Sequence, residues 1–180
     1  MQVEIKGLDV VLKNLNKEIE GIKNRTRVGM IKVAVLIRGD AQKLCPMDTG
    51  NLVNSAYTVV TGGSIKGGSP KFKSEVKRGE KVIRHIDVGR LQRDHAQSID
   101  QGKSETDDKD NPSAVIGFSA YYAAYVHEME FRHDVMYGKE GSIFSQFKRP
   151  LAQRKFLETA IKQNAKNILE IIRKEASVEK

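Results

Sequence analysis

The sequence has one cysteine, four prolines and no tryptophan, and aromatic residues fill only 6% of its 180 positions. A lone Cys45 excludes an internal disulfide and cannot by itself make a zinc site. No apolar run approaches the ~20 residues that a spanning helix needs. The opening MQVEIKGLDV lacks the charged-then-apolar layout of a secretory signal. The expectation is therefore a protein that acts in the cytoplasm where it is made, without a membrane partner. Also missing are a Gly-x-x-x-x-Gly-Lys-Ser/Thr phosphate loop, a Gly-x-Gly-x-x-Gly turn after a strand, paired Cys/His fingers and an RNP-type aromatic strand. No cofactor is expected.

What is present suits one globular domain over 1–180, with 39% hydrophobic and 30% charged residues and enough length to bury a core. The formal net charge of +8 is unevenly placed. Lys66, Lys71, Lys73, Lys77, Arg78, Lys81 and Arg84 face only Glu75 and Glu80 between positions 66 and 84, a local net of +5. The acidic run ETDDKD follows at 105–110. Both runs read as solvated surface, and the basic one also permits contact with nucleic acid or an acidic neighbour.

Leu8, Val11, Leu12, Leu15, Ile19 and Ile22 recur at helical spacing, which predicts a first amphipathic helix, with a short strand before it at Val3–Ile5. A second helix is expected from about Arg27 to Leu44, stopped by Pro46, which lacks a donor N–H and disfavours a helical residue before it. The β-branched run AYTVVT at 56–61 and SAVIGF at 113–118 read as strands. Between them, residues 62–111 read as a long inserted arm, projecting and mobile at its ends, with a strand or hairpin at Lys81–Val88. Leu157, Ile161, Ala165, Ile168 and Ile172 predict one C-terminal helix. The fold class is α+β: N-terminal helices, a small antiparallel sheet with the inserted arm, and a C-terminal helix packed on the sheet.

Three features invite chemistry. Asp48-Thr49-Gly50 matches the tripeptide of aspartic proteases, but it follows a helix and a proline instead of a strand, and the chain holds only one copy. A dimeric aspartyl protease would need two carboxylates to share a proton. The other reading is a turn in which Asp48 or Thr49 accepts N–H bonds from the next residues and Leu52 points into the core. His127-Glu128 lacks the second histidine of His-Glu-x-x-His, since position 131 is Phe131 and His133 would not share its helical face; adding Asp134 offers a weak surface metal site, and a structural His and Glu in a turn is the favoured reading. Cys45, at a helix C-terminus, reads as a small buried hydrophobe. Tyr121, Tyr122 and Tyr125 could stack on bases or anchor a subunit interface, and the interface reading is favoured.

Three separated stretches, taken together and in order, resemble the tail-completion proteins of tailed bacteriophages, a family also described as head-tail joining or minor capsid proteins. The first runs from Cys45 through Pro46, Asp48, Thr49, Gly50 and Leu52 to Ser55, matching Pro-x-Asp-Thr-Gly-x-Leu-x-x-Ser. The second is Tyr122, Ala123, Ala124, Tyr125, Val126, His127 and Glu128. The third is Lys155, Phe156, Leu157, Glu158, Thr159 and Ala160. The resemblance leaves the 62–111 segment unexplained. It implies a structural virion protein, not an enzyme, that forms a ring in the neck between the DNA-filled head and the tail. It further implies a hexamer, or alternatively a dodecamer, meeting portal and head-completion adaptor proteins on one side and tail-terminator or tail-tube proteins on the other. Such a protein would sit in the host cytoplasm during assembly and in the virion afterwards. Tyr121, Tyr125 and Phe131 are the expected interface on one side of each subunit, and the basic residues from Lys66 to Arg84 would contact a neighbour or the DNA in the lumen. A free nucleic-acid-binding module built on the basic arm is the alternative from another class.

Overall fold

The computed structural model describes residues 7–64, 70–78, 80–108, 110–128 and 151–177. The strand expected at Val3–Ile5, Lys66, and the Phe131, His133 and Asp134 positions lie outside these. Helix α1 spans Leu8–Leu44, one uninterrupted element of 37 residues, where the sequence suggested two helices parting near residues 23–26. The separating Lys23-Asn24-Arg25-Thr26 contains no proline, and its residues cost a helix only tenths of a kcal/mol each, about 0.7 at most, so nothing there stops propagation. The stop comes at Cys45, whose extended backbone (φ −71°, ψ 133°) is the conformation a following proline imposes.

After the four-residue helix α2, Asn51–Asn54, the chain enters β1, Ala56–Val60. Two strands flank it, β2 at Gly63–Ser64 and β5 at Ala114–Phe118, in an antiparallel sheet ordered β2-β1-β5. The β1–β5 register runs from Ala56 opposite Phe118 to Val60 opposite Ala114. Strands β3, Glu75–Arg78, and β4, Lys81–His85, form a separate hairpin with an irregularity between Val76 and Lys77. Strand β4 meets the expected strand at Lys81–Val88 only as far as His85, because Asp87 caps a helix that begins at Val88.

The 62–111 segment is more than a projecting arm. Its second half is helix α3, Val88–Glu105, begun by Asp87, whose carboxylate accepts the Arg90 N–H at 2.8 Å. Helix α3 lies on the sheet: Leu91 is fully buried in the core, and Gly102 packs so tightly on Val59 that an added Cβ would stand 3.0 Å from Val59 Cγ2. Its inward positions Leu91, His95, Ser98 and Gly102 are mostly polar or small, which is why no apolar stripe announces it.

Helix α4 covers Ala123–Glu128, and the C-terminal stretch forms α5, Phe156–Gln163, and α6, Ala165–Ala176. The single helix expected there is interrupted at Asn164. Its side-chain amide donates to Asp40 on α1 (2.9 Å) and to the Ala160 carbonyl (3.0 Å), competing with the backbone ladder. Helices α5 and α6 run back along α1: Ala160 packs with Ile37 and Ala41, and Glu175 pairs with Lys32. Gly29 allows the approach, since a Cβ there would lie 3.3 Å from Glu175 Cβ and 3.4 Å from Ile172 Cα. Phe118, Leu44 and Leu157 join this seam to the core around Leu52, Leu91 and Phe156.

Candidate functional site

The three stretches singled out in the sequence meet at one corner of the fold. Cys45, Leu52, Ala123 and Phe156 are buried in a single cluster, with Val53, Tyr122, Val126 and Leu157 packed against it. Phe156 sits at the centre, edge-on to both Phe118 and His127 at 4.9 Å between ring centroids. Backbone bonds tie the corner together: Gln153 N–H donates to the Leu44 carbonyl at 3.0 Å and Lys155 N–H to the His127 carbonyl at 2.7 Å. Lys155 takes a left-handed conformation (φ 51°) to make that turn.

The loop after α1 meets the turn expectation at Thr49 and at buried Leu52 and departs from it at Asp48. Gly50, at φ 89°, precedes α2 with no side-chain cap on the helix. The Asp48 carboxylate instead pairs with the Arg84 guanidinium of β4 at 2.7 Å. Thr49 Oγ1 accepts the Asn51 N–H at 3.3 Å, a long bond. Two asparagines that belong to no recognisable chemical motif hold the segment leading into the hairpin. Fully buried Asn51 donates to the Lys73 carbonyl (2.9 Å) and accepts the Lys73 N–H (2.7 Å), imitating a strand partner, and Asn54 donates to the Lys71 carbonyl (2.7 Å). Their only signal is a shared face of a single turn, three residues apart. Pro46 and Gly50 set the path of this loop, and Ser55 closes it: its hydroxyl donates to the Leu52 carbonyl at 2.7 Å.

Ser55 also anchors a buried polar strut. Its carbonyl accepts from both the N–H (3.0 Å) and the hydroxyl (3.1 Å) of Ser119, and Ser119 Oγ lies 2.8 Å from His95 Nδ1. Burial pushes the His95 pKa below its ordinary 6.5, and the hydrogen bond to Ser55 opposes this only in part. Burial thus favours the neutral imidazole, which joins α3 to the sheet through Ser119. Neither His95 nor Ser119 was legible as a partner from sequence, because their pairing depends on where α3 docks.

The Tyr122 phenol is pushed up to about 12, chiefly by burial. Tyr121 and Tyr125 are exposed, Tyr125 at 71%, and the Arg90 guanidinium stacks 3.9 Å above the Tyr121 ring. A small apolar hollow of about 260 Å³ is lined by Phe118, Ala123, Ala124, Phe156 and Leu157, together with His127 and Glu128, which bond to each other at 2.8 Å. Among the described residues no three His, Cys, Asp or Glu side chains converge to hold a metal ion. Lys71, Lys73, Lys77, Lys81 and Arg84 are all exposed on the hairpin and its lead-in. Lys77 leans on Glu75 at 3.3 Å, and Arg78 closes β3 at the hairpin turn.

The first half of α1 leaves the body of the protein. Leu8, Leu12, Leu15, Ile19 and Ile22 are exposed by 40–53%, whereas Val33, Ile37 and Ala41 further along the same helix are at most 6% exposed. Comparison with protein families, with curated proteins and with solved structures gave no match.

Proposed function

We propose that this chain is a structural protein of the phage neck, one subunit of a ring that joins the DNA-filled head to the tail. The observation that carries the reading is the meeting of the three phage-like stretches at one corner. Three segments distant in the chain supply Leu52, Ala123 and Phe156 to a single cluster, as a family-defining fold would require. The residues of the stretches accordingly have structural roles: Gly50 turns the chain, Asp48 ties the loop to the hairpin, and Phe156 fills the corner. The subunit edges are Tyr121 and Tyr125 on one side and the terminal helices on the other, in a heterologous contact that closes a ring. The basic hairpin meets acidic neighbours or the DNA in the lumen, steered by charge and not by base sequence. Portal or adaptor proteins lie above the ring and tail proteins below. Imaging of the neck in intact particles tests this. A ring of this chain between portal and tail is expected, and absence of the chain from particles would overturn it.

A further inference from the structure

Strand β5 leaves an open edge on the sheet. It is the last strand in the order β2-β1-β5, and its hydrogen bonds alternate. The Thr61 N–H donates to the Ser113 carbonyl and the Ser119 N–H to the Ser55 carbonyl, both at 3.0 Å, so positions 113, 115, 117 and 119 are the ones whose backbone faces β1. The N–H and C=O groups of Ala114, Ile116 and Phe118 therefore face away from the sheet, with no backbone partner among the described residues. Nothing blunts this edge: β5 reads Ala-Val-Ile-Gly-Phe, without a charge, a proline or a register shift. An edge of this kind accepts an added strand. The free edge of β4 is of the opposite kind, with Lys81 and Arg84 beside a register shift, features that discourage a further strand.

We infer that the strand added to β5 is the segment before α1, residues 1–6, of a neighbouring copy of this chain. In that segment Met1, Val3 and Ile5 alternate with Gln2, Glu4 and Lys6, the period of a half-buried strand. Gly7, at φ 90°, turns the chain between it and α1. The β5 of the same chain is out of reach. Lys23 pairs with Asp110, four residues before β5, and Ile116 and Phe118 pack beside Ile37 and Ala41, so β5 runs along the packed half of α1 and away from the bare half. The helix from Leu8 to Ile22 carries Gly7 about 22 Å beyond the Lys23 pair. Six extended residues span only about 20 Å, too little to return and lie along their own β5. The same length covers the roughly 17 Å of a five-residue strand in another copy. Each copy then gives its N-terminal segment and receives one at β5, so two different surfaces meet, as a closed ring requires. The inference deepens the ring reading above and rests on it for the symmetry, but the exchange of strands can be measured without any virus particle.

The test compares the full chain with a variant lacking residues 2–6. Mass measurement in solution is expected to show a concentration-dependent oligomer of the full chain, and the deletion should weaken association about tenfold or more, the order expected when the backbone bonds of one short strand are lost. Hydrogen exchange reads the edge directly. In separated chains the amides of Ala114, Ile116 and Phe118 should exchange rapidly while those of Val115 and Gly117 exchange slowly; assembly should slow the first three in the full chain and leave them fast in the variant. Cross-linking reads the pairing: Glu4→Cys and Ala114→Cys chains should be joined by a short thiol cross-linker only when mixed, with Cys45 too buried to compete. Slow exchange of the three outward amides in the separated chain would mean that the edge is already covered, and would overturn the inference. So would a deletion variant that associates and is protected like the parent, a parent that stays monomeric at about 100 μM, far above a micromolar dissociation constant, or covalent dimers of Ala114→Cys alone, which would mean that two β5 edges pair with each other. Strand exchange between free chains together with absence from particles would instead leave this inference standing and remove the neck assignment.

Discussion

At the level of single residues, the loop between α1 and the sheet separates two explanations for the Asp48-Thr49-Gly50 tripeptide. Gly50 has open space around its missing Cβ but sits at φ 89°, so Gly50→Ala is expected to cost about 1–2 kcal/mol through backbone strain alone, with Gly50→Asn costing less. Denaturant unfolding measures both, and a neutral Gly50→Ala would mean that the loop relaxes freely. Asp48 is different: its pair with Arg84 is well over a third exposed on the arginine side, so the coupling in a double-mutant cycle should not exceed about 1 kcal/mol. Zero coupling, with Asp48→Ala still costly when Arg84 is absent, would return the carboxylate to a capping role. His95 gives a pH signature. Its folded pKa lies below 6.5, so between that lowered value and 6.5 the unfolded chain binds a proton that the folded chain does not. Stability therefore falls as pH drops through this window and is fully present above it. His95→Gln should flatten the dependence of urea midpoint on pH between about 7 and 5, and an unchanged slope would show that other groups carry it.

Elements differ in how plainly the chain announces them. The second half of α1 and β1 are legible because apolar periodicity and a β-branched run coincide with burial, as Ile37 and Val59 illustrate, whereas the stripe from Leu8 to Ile22 announces a helix but not its exposure. Helix α3 was not, since its buried side offers only Leu91 and Ile99 among His95, Ser98 and Gly102, and a face that docks through hydrogen bonds and a glycine leaves no hydrophobic period. The corner at Phe156 was legible as three motifs but not as one place, because local sequence carries no distances. Paired truncations test this arrangement. Ile37→Ala should cost about 2–5 kcal/mol as a core truncation, while Leu15→Ala on the same helix should change monomer stability by no more than about 0.5 kcal/mol. Likewise Leu91→Ala should loosen α3 and open 88–105 to limited proteolysis, while the parent chain resists cleavage there. Rapid cleavage of the parent within α3 would mean that this helix is not part of the domain body.

For the molecule as a whole, the net charge of +8 acquires a location. The exposed lysines Lys71, Lys73, Lys77 and Lys81 stand on a hairpin and its lead-in, clamped at the base by Asn51 and Asn54, away from the apolar half of α1. One region of the molecule concentrates positive charge and another bare apolar side chains. If the hairpin meets DNA, duplex binding should show no base preference and should weaken linearly in log salt. Replacing those four lysines with glutamine should reduce the slope by up to about 0.9 for each phosphate that is no longer neutralised. Binding selective for sequence would contradict a lumen contact and favour a dedicated nucleic-acid module, while binding indifferent to salt would show that these lysines do not neutralise phosphates at all.

A single helix with one half packed and one half bare also carries a gradient of lifetimes. A stretch of about fifteen residues without tertiary support is marginal in water, and α1 begins at Gly7 with no side-chain cap to steady it. Backbone amides from Leu8 to Ile22 of the separated chain should therefore exchange with solvent deuterium rapidly, while those from Gly29 to Leu44 exchange only when the domain itself opens. Any partner that covers the stripe would slow exchange from Leu8 to Ile22 toward the rate of the packed half, so the exchange profile along this one helix reports, residue by residue, whether and how far its bare half is covered.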